Sequence, residues 1–131
     1  MLDIVSVLNN EDNNVRVICT GGILSKDLDG FIGSATIESI SNYKPDKCFI
    51  GSCGVNIFDK SVTTFDVEDG NTKKVVIKSS KKVYLVMENN KFYFDGTYKF
   101  ATLYDIDTII TETAPDNNII NLLGDTDTNI V

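Results

Sequence analysis

A chain of 131 residues is near the common size of one domain and long enough to bury a single core without disulfide help. Its 42% hydrophobic and 24% charged residues set it apart from disordered sequences. With 12 basic against 19 acidic residues the net charge is -7, which repels a polyanion and argues against direct nucleic-acid binding by this domain.

In chain order, residues 2–8 carry Leu2, Ile4, Val5, Val7 and Leu8 before an asparagine-rich break, and read as the tail of a helix. Residues 15–19 (VRVIC) are β-branched and end at Thr20, Gly21 and Gly22, the pattern of a strand entering a tight turn. A long polar loop runs to Gly30. Residues 34–43 (SATIESISNY) place Ala35, Ile37, Ile40 and Ser41 so that one helical face is apolar or small, with Ser34 or Thr36 as cap and Pro45 as the stop. The next strand, residues 47–50, leaves through Gly51, Ser52, Cys53 and Gly54 into a polar loop that closes on Thr63 and Thr64. Asp66, Glu68 and Asp69 suit the positive end of a helix running to about Lys78, which Gly70 and Asn71 weaken. Residues 83–87 (VYLVM) form a nearly all-apolar run, as expected of a parallel strand covered on both faces. The aromatic segment 92–102 is expected to hold short irregular strands. Residues 108–111 read as a buried strand, 117–123 as a short helix after Pro115, and 129–131 as a last strand. Strands alternating with helices predict an α/β fold with a mainly parallel sheet and helices on both faces.

No apolar run approaches the roughly 20 residues that cross a bilayer, and no signal-peptide pattern opens the chain, so a soluble cytoplasmic protein is expected. Cys19, Cys48 and Cys53 are odd in number and histidine is absent. That composition predicts reduced thiols, no metal site and no Cys-His catalysis. Cys19 and Cys48 read as small buried hydrophobes, while Cys53 lies between glycines in a turn.

Three strand ends carry the candidate chemistry: Thr20, Gly21 and Gly22; Gly51, Cys53 and Gly54; and Glu88 to Lys91. In open α/β sheets ligands bind beyond the carboxyl ends of the strands, and glycine turns with hydroxyls can hold a phosphate or carboxylate on backbone N–H groups. Each turn by itself is also what an ordinary strand-to-loop connection looks like. Asp69 and Lys73 stand four apart on one helix face. Facing solvent they are a surface pair of little weight; facing a pocket, Lys73 meets an anionic group and Asp69 a sugar hydroxyl. Lys91 sits beyond the VYLVM strand for the same work.

The succession VICTGG, GFIGSATIESI, DKCFIGSCGV, a Thr-Thr pair, D-x-x-x-K, VYLVMENNKF and LYDIDTIIT resembles the effector-sensing domain of DeoR-type bacterial transcriptional regulators over nearly the whole chain. The resemblance implies a fold like ribose-5-phosphate isomerase and the glucosamine-phosphate deaminases, and a phosphorylated sugar as effector. It also implies a homo-oligomer, no cofactor, and contact with DNA only through an N-terminal winged helix-turn-helix that does not stand before Leu2. The family's first sensor strand and phosphate-gripping loop are likewise expected upstream, so the chain resembles the C-terminal part of such a sensor, with apolar surface for a partner subunit to cover. Cys53 stands where the family generally has Asp, Ser61 and Val62 where it has Gly before the threonines, Glu88 for Asp, and Asp69-Gly70 for Glu-Ala; Lys73 and Lys91 are retained. A non-catalytic sensor and oligomerisation module is the leading expectation, with a sugar-phosphate isomerase of the same fold and a purely structural dimerisation unit as alternatives.

Overall fold

The computed structural model describes residues 2–10 and 14–131. The elements run α1 (Leu2–Asn10), β1 (Ile23–Ser25), β2 (Gly30–Ile32), α2 (Ser34–Ser41), β3 (Cys48–Ile50), β4 (Gly54–Val55), β5 (Ser61–Thr64), α3 (Val67–Ser79), β6 (Val83–Val86), β7 (Tyr98–Thr102), β8 (Thr108–Ile110), α4 (Asn117–Leu123) and β9 (Asn129–Ile130). Short 3-10 turns follow β6, at Asn89–Tyr93, and β7, at Leu103–Asp105.

A four-stranded sheet in the order β3-β6-β8-β9 is parallel throughout, so the α/β expectation holds. In β6 the alternation of side chains decides the packing: Val83 and Leu85, with Met87 just beyond, are buried, while Val86 is 45% exposed. The other face carries Phe49 of β3 stacked on Tyr84 at 4.9 Å, and Phe49 is itself exposed. The expected burial of VYLVM on both faces is therefore met on one. The buried face joins an antiparallel sheet, β4-β5-β7, through Val55, Val62, Phe100 and Leu103, and Ile119 and Leu123 of α4 complete the same core.

Helix α3 begins where Asp66 caps it, its carboxylate accepting the Asp69 N–H at 2.8 Å, and runs against β5 and β7. Gly70 permits that approach: a β-carbon there would run into the Tyr98 ring and lie 3.2 Å from the Thr64 methyl. The apparent weakness of Gly70 in the helix is thus a packing requirement. The Tyr98 ring cannot swing aside freely, since its hydroxyl donates to Asn71 and accepts from Lys74, both at 2.7 Å.

Several expectations fail for tertiary reasons. Residues 15–19 form no strand, and Val15, Val17 and Ile18 are exposed; β-branched residues favour a pleated, half-buried surface, and this run lies in no ladder. Cys19 is exposed rather than buried, whereas Cys48 is buried as expected. The polar loop to Gly30 holds the β1–β2 hairpin, with Asp29 at φ 48 in its turn. Neither Ser34 nor Thr36 caps α2; Gly33 occupies that position, and the Thr36 hydroxyl donates instead to the carbonyls of Gly21 at 2.7 Å and Ile32 at 3.0 Å. The segment 92–102 supplies one regular strand, β7, hydrogen-bonded to β5 with a bulge between Val62 and Thr63.

Asp107 ties β6 to the loop before β8. It accepts the Val83 N–H at 2.8 Å and pairs with Lys82 at 2.7 Å, and the Lys82 hydrogen bond first, then the Val83 N–H, holds its carboxyl below the ordinary value of 3.8. A carboxyl depressed on folding stabilises above its unfolded pKa and loses that contribution as the pH falls through the lower folded value. The difference in urea midpoint between the protein and Asp107→Asn should be widest near neutrality and close as the pH drops below 3.8. Gly70→Ala should cost about 1–3 kcal/mol in urea unfolding, because overpacking against Tyr98 exceeds the roughly 1 kcal/mol of helix propensity gained.

Candidate functional site

A cavity of about 490 Å³ opens where the end of β3 meets α2, α3 and the loop at 18–20. Apolar side chains such as Phe31, Ile40 and Phe49 form most of its wall. Thr20 and Gly51 also line it, as do Asp69 and Lys73 from one face of α3. Four of the sequence candidates therefore meet at one place, as the i, i+4 spacing on α3 and the strand-end glycine suggested.

The Lys73 ammonium lies 2.6 Å from Asp69 Oδ2, with side-chain exposures of 18% and 9%, and sits 5.3 Å above the Phe100 ring. The same Oδ2 accepts the Thr64 hydroxyl at 2.8 Å. Thr64 Oγ1 in turn lies 3.7 Å from Cys53 Sγ; because that hydroxyl donates to Asp69, the thiol is the donor in this pair. A polar chain thus runs from Cys53 through Thr64 and Asp69 to Lys73. Successive residues of β5 point to opposite sides. Thr63 accordingly turns away from Asp69, donating to the Gly54 carbonyl at 3.2 Å and accepting the Gly96 N–H at 2.7 Å.

The other candidates fall elsewhere. Cys53 does not line the cavity and stands behind Thr64. Gly21 and Gly22 have φ values of 70 and 113, and a β-carbon on Gly22 would strike Thr36, so the loop is built to lie close on α2. Gly54 packs its backbone against the Phe94 carbonyl. Glu88 and Lys91 line a second, more open concavity of about 550 Å³ beyond the carboxyl ends of β6 and β8, together with Ser52, Met87, Thr111 and Glu112. There Glu88 accepts the Asn90 side-chain N–H at 3.1 Å, and Lys91 lies 5.8 Å from the Phe94 ring with no ion-pair partner among the described residues. Glu112 accepts the Asn89 N–H at 2.9 Å; its own backbone N–H, then that of Asn89, hold its carboxyl below the ordinary value. The Asn89 amide donates to Thr113 Oγ1 at 2.9 Å and to the Ala114 carbonyl at 3.2 Å, and Tyr93 donates to Asp116, the α4 cap, at 2.7 Å.

Sequence reasoning missed Thr36, Thr64 and Thr72 as site residues. Thr72 Oγ1 accepts the Gly33 N–H at 3.3 Å and donates to Glu68, fixing α3 to the start of α2. The adjacent threonines 63 and 64 were a usable signal: a hydroxyl pair in a fully buried strand must find partners on both sides. Among the described residues no cluster of acidic or cysteine side chains has a metal-binding arrangement, and no helix is long and apolar enough to cross a membrane.

The DeoR C terminal sensor domain family matches residues 1–113. The chain is 30% identical over 122 residues to the HTH-type transcriptional repressor GlcR of Bacillus subtilis, covering 93% of the chain and 46% of that protein. It is 30% identical over 110 residues to the glycerol-3-phosphate regulon repressor of Escherichia coli, 84% of the chain and 43% of that protein. The lactose phosphotransferase system repressor of Staphylococcus epidermidis is 25% identical over 106 residues, 81% of the chain and 41% of that protein. The chain thus spans less than half the length of these relatives.

Removing one partner of a buried, hydrogen-bonded charge pair costs more than the pair contributes, because the other charge is stranded. Asp69→Ala should therefore destabilise the fold by about 2–4 kcal/mol in urea unfolding, leaving both the Lys73 ammonium and the Thr64 hydroxyl without their acceptor. A change below about 0.5 kcal/mol would mean that the pair is solvated like a surface ion pair.

Proposed function

The chain belongs to the DeoR C-terminal sensor domain family, and from that premise we propose that it is the ligand-sensing and oligomerising part of a transcriptional repressor, binding a phosphorylated sugar or polyol. The observation that carries this reading is the Asp69–Lys73 pair at the wall of the cavity, which Thr20 and Gly51 also line. An ammonium with two further N–H groups suits a phosphate, and a carboxylate suits the hydroxyls of the same ligand. Phosphorylated ligands are also in keeping with the E. coli relative, which is named for a glycerol-3-phosphate regulon.

Effector binding acts on a separate helix-turn-helix domain of the complete regulator by favouring one arrangement of a homo-oligomer. The response is limited by the difference in the ligand's affinity for the two arrangements. Exposed apolar side chains, among them Phe49 and Val86 on the open face of the parallel sheet, favour a partner copy. The isomerase reading is weaker: the relatives that the chain matches are named as transcriptional repressors, and a fold shared with enzymes does not by itself carry their activity.

A ligand that binds only the folded state stabilises it by about 2.7 kcal/mol at 100 times its dissociation constant, a rise of roughly 5–15 °C in Tm for a domain of this size. Glycerol 3-phosphate, glucosamine 6-phosphate or ribose 5-phosphate should produce such a rise in a thermal-shift assay, and inorganic phosphate a smaller one. Flat melting curves across all three sugars and polyols would remove the sensing function.

A further inference from the structure

Both hydrogen bonds to the Asp69 side chain fall on one atom. The Thr64 hydroxyl and the Lys73 ammonium each donate to Oδ2, at 2.8 and 2.6 Å, and Oδ1 has no partner among the described residues. The residue is only 6% exposed, yet no buried side-chain oxygen among the described residues lacks a partner, so Oδ1 is not sealed in the protein. Asp69 lines the cavity, and Oδ1 is the oxygen of its carboxylate left without a protein donor. A largely buried carboxylate with one oxygen locked and the other unpartnered retains an acceptor that a ligand hydroxyl can use in place of water.

We propose that Thr64 is a positioning residue for ligand recognition, fixing the Asp69 carboxylate so that Oδ1 accepts a ligand hydroxyl while Lys73 donates to the ligand's phosphate. The inference rests on the sensing function proposed above and specifies how its site discriminates. Thr64 is fully buried in β5, does not line the cavity and touches no ligand; it acts through Asp69 alone. Its hydroxyl is held on both sides, donating to Asp69 and accepting from the Cys53 thiol at 3.7 Å, so it cannot rotate without losing one of them. Lys73 also bonds Oδ2, but on a long side chain that a phosphate can draw away; Thr64 keeps the carboxylate plane when that happens. The ligand class is accordingly a phosphomonoester with a hydroxyl on its carbon skeleton, and inorganic phosphate uses only the Lys73 half of the site.

The test compares the protein with Thr64→Val and Thr64→Ser by titration calorimetry against glycerol 3-phosphate and inorganic phosphate. Thr64→Val should weaken glycerol 3-phosphate by about tenfold, leave inorganic phosphate within about twofold, and so erase most of the preference between them; Thr64→Ser should restore it. Equal losses for both ligands, or no loss for either, would overturn the assignment. Should the unsubstituted protein bind neither, the sensing function fails, and Thr64 is judged by side-chain nitrogen NMR of the Lys73 ammonium. A resonance protected in the protein and in Thr64→Ser but exchange-broadened in Thr64→Val upholds the positioning role, and an unchanged resonance in Thr64→Val overturns it.

Discussion

The carboxylate of Asp69 is the charge on which the middle of this molecule depends. It is taken out of water at the first turn of α3, where the helix meets β5 and the wall of the cavity. A buried anion is tolerable only with a counter-charge and hydrogen bonds. Lys73 supplies the first from one turn along the same helix, and Thr64 supplies the second from the strand beneath. Those requirements propagate. Thr64 must face α3, so Thr63 must face away and be satisfied by Gly54 and Gly96, which draws β4 and the loop before β7 onto β5. Gly70, next to Asp69, brings the helix close enough for the hydroxyl to reach. The antiparallel sheet, the helix and the cavity wall are thereby set by one ionised group.

Much of the architecture was legible because it is local. The acidic turn at Asp66 to Asp69, the segment after Pro115 and the apolar run at 83–87 each declare an element within a few residues, and α3, α4 and β6 stand there. Residues 15–19 have equally good strand composition, but a strand exists only by pairing, and no window on the sequence shows whether a neighbour is present. The hairpin at 23–32 was hidden for the opposite reason: its turn is a polar run with Asp29 in a left-handed conformation rather than an Asn-Gly signal.

The site divides the same way. Asp69 and Lys73 follow from helical spacing and Gly51 from the end of β3, whereas Thr20 was expected at the end of a strand that does not form and reaches the cavity from an irregular segment. The Thr64–Asp69 bond crosses from a strand to a helix over five residues, a step with no period to betray it. Cys53 looked like a ligand contact from its glycine neighbours, yet its thiol is turned onto Thr64, where it supports the acceptor from behind. Glu88 and Lys91, although in the same succession of motifs, belong to a separate hollow because β6 delivers them past the end of the sheet.

That second hollow is moored by hydrogen bonds. The 89–93 turn is fastened to the following segment by Asn89, through Glu112, Thr113 and Ala114, and by Tyr93, through the very aspartate that starts α4. Turn, segment and helix cap are therefore linked by hydrogen bonds from the mouth of the hollow to α4, whose Ile119 and Leu123 are buried. The β6–β8 pairing is thus continued past the ends of both strands, so that the wall of the hollow and the start of α4 are joined.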